Sequence, residues 1–261
     1  LLQLDGLSQQ LTHTDEAKVR AALNQVEQLC AADWLKQGSI QERLGAAYAG
    51  AGLFKEAIPY YQQAVENKDI ANPATLRVVE QWINVAVRCG EKDGNKVMIQ
   101  EAIDKGRHLL ALAKTSERLS LMGGAQKKLA QLETDAAQIR IHLAQAAADY
   151  RAAAEQRQRE GMDDPYPILN AVVIEVLLGK EDADREAALS RCEALVQARF
   201  KDTRSVWDAI TIADVAMIRA IISRSLPQER DNIIEKYRAA FTESSATQRE
   251  QDSVLTKTRF I

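Results

Sequence analysis

Residues 41–66, QERLGAAYAGAGLFKEAIPYYQQAVE, restrict the fold of this chain more than any other stretch. Each half of the segment carries apolar residues at spacings of three and four, the pattern of one buried face of an α-helix. The first face is Leu44, Ala47, Tyr48 and Ala51, and the second is Phe54, Ala57, Ile58, Tyr61, Ala64 and Val65. Gly50 and Gly52 lie between the halves, and glycine can end a helix in a left-handed conformation at little steric cost. The segment therefore predicts a helical hairpin.

The sizes of the side chains indicate how the two helices pack. Gly45 and Ala57 are small, which allows antiparallel helices to approach closely. Tyr48, Phe54 and Tyr61 are large, and we expect them to fill the remaining space.

The same pattern returns in the next part of the chain. Residues 79–90, VEQWINVAVRCG, align without a gap with residues 41–52, so that Trp82 falls on the first leucine. Ile83 and Ala86 take the small and the aromatic position, and the second copy departs from the first there. Repetition of one helical unit is typical of proteins in which neighbouring units bury each other's apolar faces.

A third copy begins near residue 116, where Met122 and Gly123 stand in the positions of Leu44 and Gly45. Its second helix repeats the alanine-tyrosine-alanine spacing, at Ala146, Tyr150 and Ala153. We expect the helices of this copy to be longer than those of the first.

The first hairpin resembles the tetratricopeptide repeat, or TPR, a helix-turn-helix unit of about 34 residues. The matching residues are Leu44, Gly45, Tyr48, Ala57, Tyr61 and Ala64. Gln41 replaces the usual tryptophan and Asp69 the closing proline. The resemblance implies an all-α, TPR-like α-solenoid, a right-handed superhelix of about five hairpins with a capping helix at each end and first helices lining the concave side. A hairpin within an ordinary helical bundle is the alternative for this segment alone.

Loop signals between the apolar patterns divide the chain into segments. We predict an N-terminal segment and capping helix at 1–37, TPR-like repeats at 38–243, and a C-terminal capping helix at 244–261. The five repeats are expected at 38–70, 74–113, 116–160, 165–201 and 204–243.

Several phrases in the middle and end of the chain support a second, more distant resemblance. They are SERLSLMGGAQKKLA, DYRAAAE, DDPYPILNAVVIEVLLG, YRAAF and SVLTKTRFI, in that order. This order is similar to the TRAFs-binding helical repeat region of apoptosis signal-regulating kinases and its bacterial relatives. The resemblance implies a regulatory module that controls an attached or neighbouring effector.

The charge pattern and the hydropathy pattern exclude several classes of partner. The 34 basic and 37 acidic side chains are dispersed, with a net charge of −3, which predicts no binding to nucleic acid. The apolar stretches 171–178 and 209–222 are too short or too interrupted to cross a bilayer. The N-terminus lacks the pattern of a secretory signal, and three widely spaced cysteines favour reduced, buried thiols. We expect a cytoplasmic protein that does not bind membranes.

The sequence contains no recognisable catalytic or metal-binding pattern. His13, His108 and His142 have no second ligand at a suitable spacing. Gly123 and Gly124 precede two lysines, but the full phosphate-loop motif is missing, so close helix packing is the better explanation. The acidic linkers, including EDADRE, should keep near-normal pKa values in water. We predict no enzyme activity, no cofactor and no metal.

Four polar residues are the candidates for a binding groove: Asn84, Arg88, Lys127 and Lys128. Asn84 and Arg88 lie one helical turn apart, and the two lysines hold the comparable end of the third unit. Asparagine can bond a peptide backbone, and arginine can bind a carboxylate in two places. We therefore expect a non-catalytic scaffold or regulatory TPR module that binds a protein or peptide segment.

Three alternatives remain open from the sequence. The four residues are equally consistent with ordinary solvated helix positions. The chain is also compatible with a small-molecule-sensing repeat domain, or with a structural dimerisation module that forms a homo-oligomer.

Overall fold

A computed structural model describes residues 16–29, 32–67, 71, 73–246 and 248–258. Every regular element in these ranges is an α-helix, which confirms the all-α prediction. The helices are α1 (Glu16–Leu29), α2 (Gly38–Gly50), α3 (Phe54–Glu66), α4 (Arg77–Asp93), α5 (Lys96–Leu112), α6 (Ser116–Leu132), α7 (Ala136–Arg159), α8 (Pro165–Leu177), α9 (Arg185–Thr203), α10 (Val206–Ile222), α11 (Leu226–Glu243) and α12 (Gln248–Thr258). Within the described ranges, none of these helices is both long and apolar enough to span a membrane.

The chain divides into two compact units, Leu1–Leu112 and Ala113–Ile261. Helices α1 to α5 belong to the first unit, and α6 to α12 belong to the second. Consecutive helices from α2 to α5, and from α6 to α11, pack against each other, and α4 also contacts α2. The repeat boundaries within residues 38–243 and the two terminal caps stay predictions.

The corner between α2 and α3 depends on one of the two glycines that the sequence singled out. Gly52 adopts a left-handed φ of 80°, and Leu53 N–H donates to the Tyr48 carbonyl oxygen at 2.9 Å. These features end α2 as a Schellman-type cap does. Gly50, by contrast, is the last residue of α2. The predicted left-handed glycine is therefore Gly52.

Helix α4 is tied to α2 by a side chain of the first hairpin. The Glu42 carboxylate accepts hydrogen bonds from the Thr75 backbone N–H at 2.9 Å and from its hydroxyl at 2.6 Å. Thr75 lies just before α4, where backbone N–H groups lack helical partners. Glu42 thus supports the start of the next helix.

Helix α1 packs on the first hairpin through both apolar and polar contacts. Leu23 is completely buried, and the Tyr48 hydroxyl donates to Asn24 at 3.1 Å. Leu29, the last residue of α1, is 76% exposed.

The second unit begins with the α6 and α7 hairpin, whose helices contain 17 and 24 residues. This confirms the expectation of longer helices than in the first hairpin, where each has 13. A Cβ atom on Gly123 would lie 2.8 Å from the Tyr150 ring. Close helix packing therefore explains Gly123, as the sequence predicted.

Helix α8 is enclosed within the second unit. Every residue from Pro167 to Glu175 is buried, while Tyr166 near its start is 53% exposed. The run is apolar on all faces apart from Asn170 and Glu175, and such a helix is stable only when covered on all sides. The residues of α8 that remain exposed are Tyr166 and Leu177, and the lining of the concave side by first helices stays a prediction.

Candidate functional site

The neighbouring helices α2 and α4 carry small and polar residues, respectively, at equivalent positions of the repeat. Ala46 and Gly50 are exposed on α2, and Asn84 and Arg88 occupy the equivalent positions of the neighbouring α4. A Cβ atom on Gly50 would meet nothing within 4 Å. We call these four residues the α2/α4 shelf. The α2 positions carry no long side chain, and the α4 positions carry hydrogen-bond donors.

The structure holds Asn84 and Arg88 together, as their spacing predicted. Arg88 Nε donates to Asn84 Oδ1 at 3.2 Å, and its guanidinium carbon lies 5.5 Å from the centre of the Phe54 ring. A guanidinium over an aromatic face is attracted by the ring quadrupole. Phe54 and Asn84 therefore orient the Arg88 fork at one end of the shelf.

Lys127 and Lys128 lie in the second unit and are both half-buried. Lys127 Nζ donates to Asn170 Oδ1 at 2.9 Å and lies 6.0 Å from the centre of the Tyr150 ring. Lys127 therefore takes part in a contact between α6 and α8. The two predicted pairs of groove residues belong to different units and have different surroundings.

The partners of Lys127 form a network that the sequence reasoning did not identify. Asn170 Nδ2 donates to the Tyr166 carbonyl oxygen at 2.9 Å, and the Tyr166 and Tyr150 hydroxyls are 3.3 Å apart. The available signal was a single asparagine within the apolar run ILNAVVIEVLLG. A buried amide in such a run needs hydrogen-bond partners.

A second feature of this unit is a cavity of about 450 Å³ between α7, α8 and α9. Its apolar side includes Ile168 and Val172, and its polar side has two arginines and three carboxylates, namely Arg151, Arg191, Glu155, Asp182 and Asp184. A volume of roughly 300–1,000 Å³ with a few convergent polar groups is typical of small-molecule sites.

Arg151 is held in place at the edge of this cavity by two carboxylates. Its guanidinium donates to both oxygens of buried Glu175, at 2.5 and 2.6 Å, and also to Asp182. The bonds to Glu175 raise the pKa of Arg151 above its usual value. Arg191 forms no ion pair within the part of the chain that the structure describes. Among the described residues, the cavity thus contains one guanidinium with ion-pair partners and one without an ion pair.

Asp182 lies in the EDADRE linker, and its pKa differs from the near-normal value expected there. A bond from the Asp184 backbone N–H at 2.9 Å, followed by the bond from Arg151, lowers the pKa of Asp182. The prediction of near-normal values in the EDADRE linker is wrong at this residue. The folded chain supplies donors that the linker alone does not have.

The histidine and cysteine side chains described next pack within the fold. His142 Nδ1 lies 2.9 Å from Gln126 Oε1, in a contact between α7 and α6. Cys89 and Cys192 are buried free thiols, and burial raises the pKa of Cys192 to about 12. Cys30 and His13 lie outside the described residues.

Comparisons with known proteins find similarity to tetratricopeptide-repeat proteins. Residues 53–178 match the family described as Tetratricopeptide Repeats-Sensor. The crystal structure of a thermophilic TPR protein from Thermus thermophilus is similar, with a TM-score of 0.51 and 15% identity over 78% of this chain and 99% of that one. A comparison with curated proteins found no match. None of these findings bears on the likeness to apoptosis signal-regulating kinases, which stays a prediction.

The fold that these comparisons support is an all-α solenoid. Such a fold suggests a protein-interaction or sensor module, and proteins with this fold are generally non-catalytic. The family match covers the Asn84 and Arg88 pair, the Lys127 network and the α7 and α8 residues that line the cavity. The family match and the structural likeness together support a tetratricopeptide-repeat protein.

Proposed function

We propose that this chain is a non-catalytic regulatory module that binds an extended protein segment on the α2/α4 shelf. The observation that carries the proposal is the oriented Arg88 guanidinium on α4, with exposed Ala46 and Gly50 at the equivalent positions of the neighbouring α2. The resemblance to regulatory repeat regions supports the further idea that binding controls an attached or neighbouring effector.

The chemistry of the shelf favours a segment with an exposed carboxylate. Asn84 can bond a peptide group of the ligand, and Arg88 can grip a carboxylate with two parallel bonds. The small α2 residues let the ligand backbone approach without displacing side chains. The segment would thus be bound by its main chain and selected by one acidic group.

Site-specific photo-crosslinking in the source cell tests the proposal. With p-benzoylphenylalanine in place of Ala46, we expect crosslinks to a discrete partner, and none with the probe at exposed Gln63 on α3. Arg88→Glu should reduce crosslinking from position 46 about tenfold or more, because a glutamate at position 88 would repel the carboxylate of the bound segment. Arg107→Glu, at an exposed position on α5, is the matched control. Equal crosslinking from Ala46 and Gln63, or no effect of Arg88→Glu, would refute binding at the shelf.

A second candidate function, sensing of a small molecule, is favoured by the cavity between α7, α8 and α9. Arg191 offers a charge without an ion pair in the described chain, and the family match includes the word sensor. A thermal-shift screen with nucleotides and phosphorylated metabolites tests it. A ligand that stabilises the wild type and Arg140→Ala but not Arg191→Ala would support sensing. The absence of any such ligand would leave shelf binding as the better account.

A further inference from the structure

A third surface, in the second unit, is formed by the length of α11. A groove of about 630 Å³ runs along this helix, with Met217 of α10 on one side and Leu255 of α12 on the other. Its α11 wall includes Leu226, Ile233, Ile234 and Phe241. We call this surface the α11 groove. It shares no residue with the shelf or with the cavity.

The groove follows one face of α11 from end to end. Leu226, Arg230, Ile234, Tyr237 and Phe241 are separated by four, four, three and four residues, the spacing of a single helical stripe. Fifteen residues of helix correspond to a length of roughly 22 Å. The surface is therefore a long channel suited to an elongated occupant.

Contacts with α10 and α12 fix the position of α11 along the groove. The Tyr237 hydroxyl donates to Asp214 Oδ1 at 2.6 Å, and Asp214 is completely buried. On the other side, Val254 of α12 is 1% exposed and packs with Ala240 of α11. An occupant meets a preformed apolar surface.

The charges on the groove have one sign. Arg230 and Arg238 line it, and no Asp or Glu does so among the described residues. Arg230 forms no ion pair in the described part of the chain. Arg238 pairs with Glu235, but both side chains are about two-thirds exposed, and such a surface pair is weak. The occupant should therefore bring negative charge.

The spacing of the two arginines distinguishes a helix from a lipid. They are eight residues apart on α11, which corresponds to roughly 12 Å along the axis. A fatty acid has one head group and can face only one of them. A helix with an apolar stripe can carry two carboxylates at this separation, seven or eight residues apart.

We propose that the α11 groove binds an amphipathic helix of a partner protein, with its apolar stripe on α11 and two flanking carboxylates opposite Arg230 and Arg238. This interaction is independent of the shelf, which would take an extended segment. The chain would then have two protein-binding surfaces of different chemistry.

Selection from a displayed helix library tests the proposal with the full chain. The probes are helical peptides with a constant leucine stripe and with Glu, Gln or Lys varied at the flanking positions. We expect the wild type to enrich peptides with two Glu seven or eight residues apart. The double variant Arg230→Glu with Arg238→Glu should bind those peptides about tenfold or more weakly, and should instead select Lys at both positions.

The controls separate charge recognition from loss of folding and from lipid binding. Lys236→Glu changes the same charge on α11 but does not line the groove, and it should still select Glu. Circular dichroism melting checks that each variant is folded. The proposal is overturned if no helix is enriched, if the charge preference does not reverse, or if oleate binds the groove while no peptide does.

Discussion

The aromatic ring of Tyr61 lies so close to Gly45 that a Cβ atom on Gly45 would be 2.9 Å from ring atoms Cδ1 and Cε1. Tyr150 stands in the same relation to Gly123, with a distance of 2.8 Å to ring Cδ2. The same contact of small against large thus closes one hairpin in each unit. It is the feature that makes the two hairpins copies of one another.

Gly45→Ala should destabilise the fold by about 1–3 kcal/mol, because the ring of buried Tyr61 must move to admit the methyl group. Urea denaturation monitored by circular dichroism measures the change. Gly50→Ala is the control, since its Cβ would meet nothing within 4 Å. Alanine is the better helix former, so this control should be neutral or stabilising by up to about 1 kcal/mol. Equal effects of the two substitutions would contradict the packing argument.

Arg151→Met should cost about 1–3 kcal/mol in the free energy of unfolding, because it leaves the buried Glu175 carboxylate without its two-pronged partner. This range is lower than for a fully buried pair, because the Arg151 side chain is half-exposed. Arg159→Met removes a cation from the same helix, but its partner Glu155 is exposed. We expect that control to change stability by less than about 0.5 kcal/mol. A loss no larger than the control's would show that Glu175 does not depend on Arg151.

The pH dependence of stability should contain a contribution from Asp182. Its pKa in the folded chain is lowered, so its bonds stabilise the fold above the unfolded value of about 4. This stabilisation is lost as the pH falls through the folded pKa. Asp182→Asn should therefore destabilise by up to about 1 kcal/mol at pH 7 and progressively less in acid.

Urea denaturation at pH 7 and at a series of values from about pH 4 downwards tests this sign. Asp163→Asn is the control, in an exposed loop position. A difference between wild type and Asp182→Asn that grows on acidification would refute the account.

Tyr237→Phe should destabilise the second unit by about 1–3 kcal/mol, because the hydroxyl bonds to fully buried Asp214 at 2.6 Å. Differential scanning calorimetry measures the shift in Tm. Tyr166→Phe removes a hydroxyl that lies 3.3 Å from the Tyr150 hydroxyl, but the Tyr166 side chain is 53% exposed, so Tm should change less. A larger effect at Tyr166 would reverse this ranking.

The sequence was most informative about contacts between residues near each other in the chain. The Gly45 and Tyr61 contact and the Asn84 and Arg88 bond join residues 16 and 4 positions apart. Helical periodicity alone places such residues on facing or shared surfaces. The repeat resemblance followed from the same spacing, and the all-α solenoid is confirmed.

Contacts between distant segments were not predictable in this way. Lys127 was assigned to an open groove, yet it bonds to Asn170, 43 residues later. Asp182 was assigned a normal pKa, yet Arg151 of another helix bonds to it. Both outcomes depend on which helices become neighbours.

By itself, the sequence determined that this chain forms helical hairpins, since three- and four-residue periodicity and glycine corners act over distances of a few residues. Only the tertiary structure decided which polar side chains remain available to a partner. The burial of α8 and the bond from Lys127 to Asn170 arise only when whole helices pack together. The packing arrangement is favoured because it buries apolar surface over the entire unit, and a local sequence pattern does not specify that total buried area.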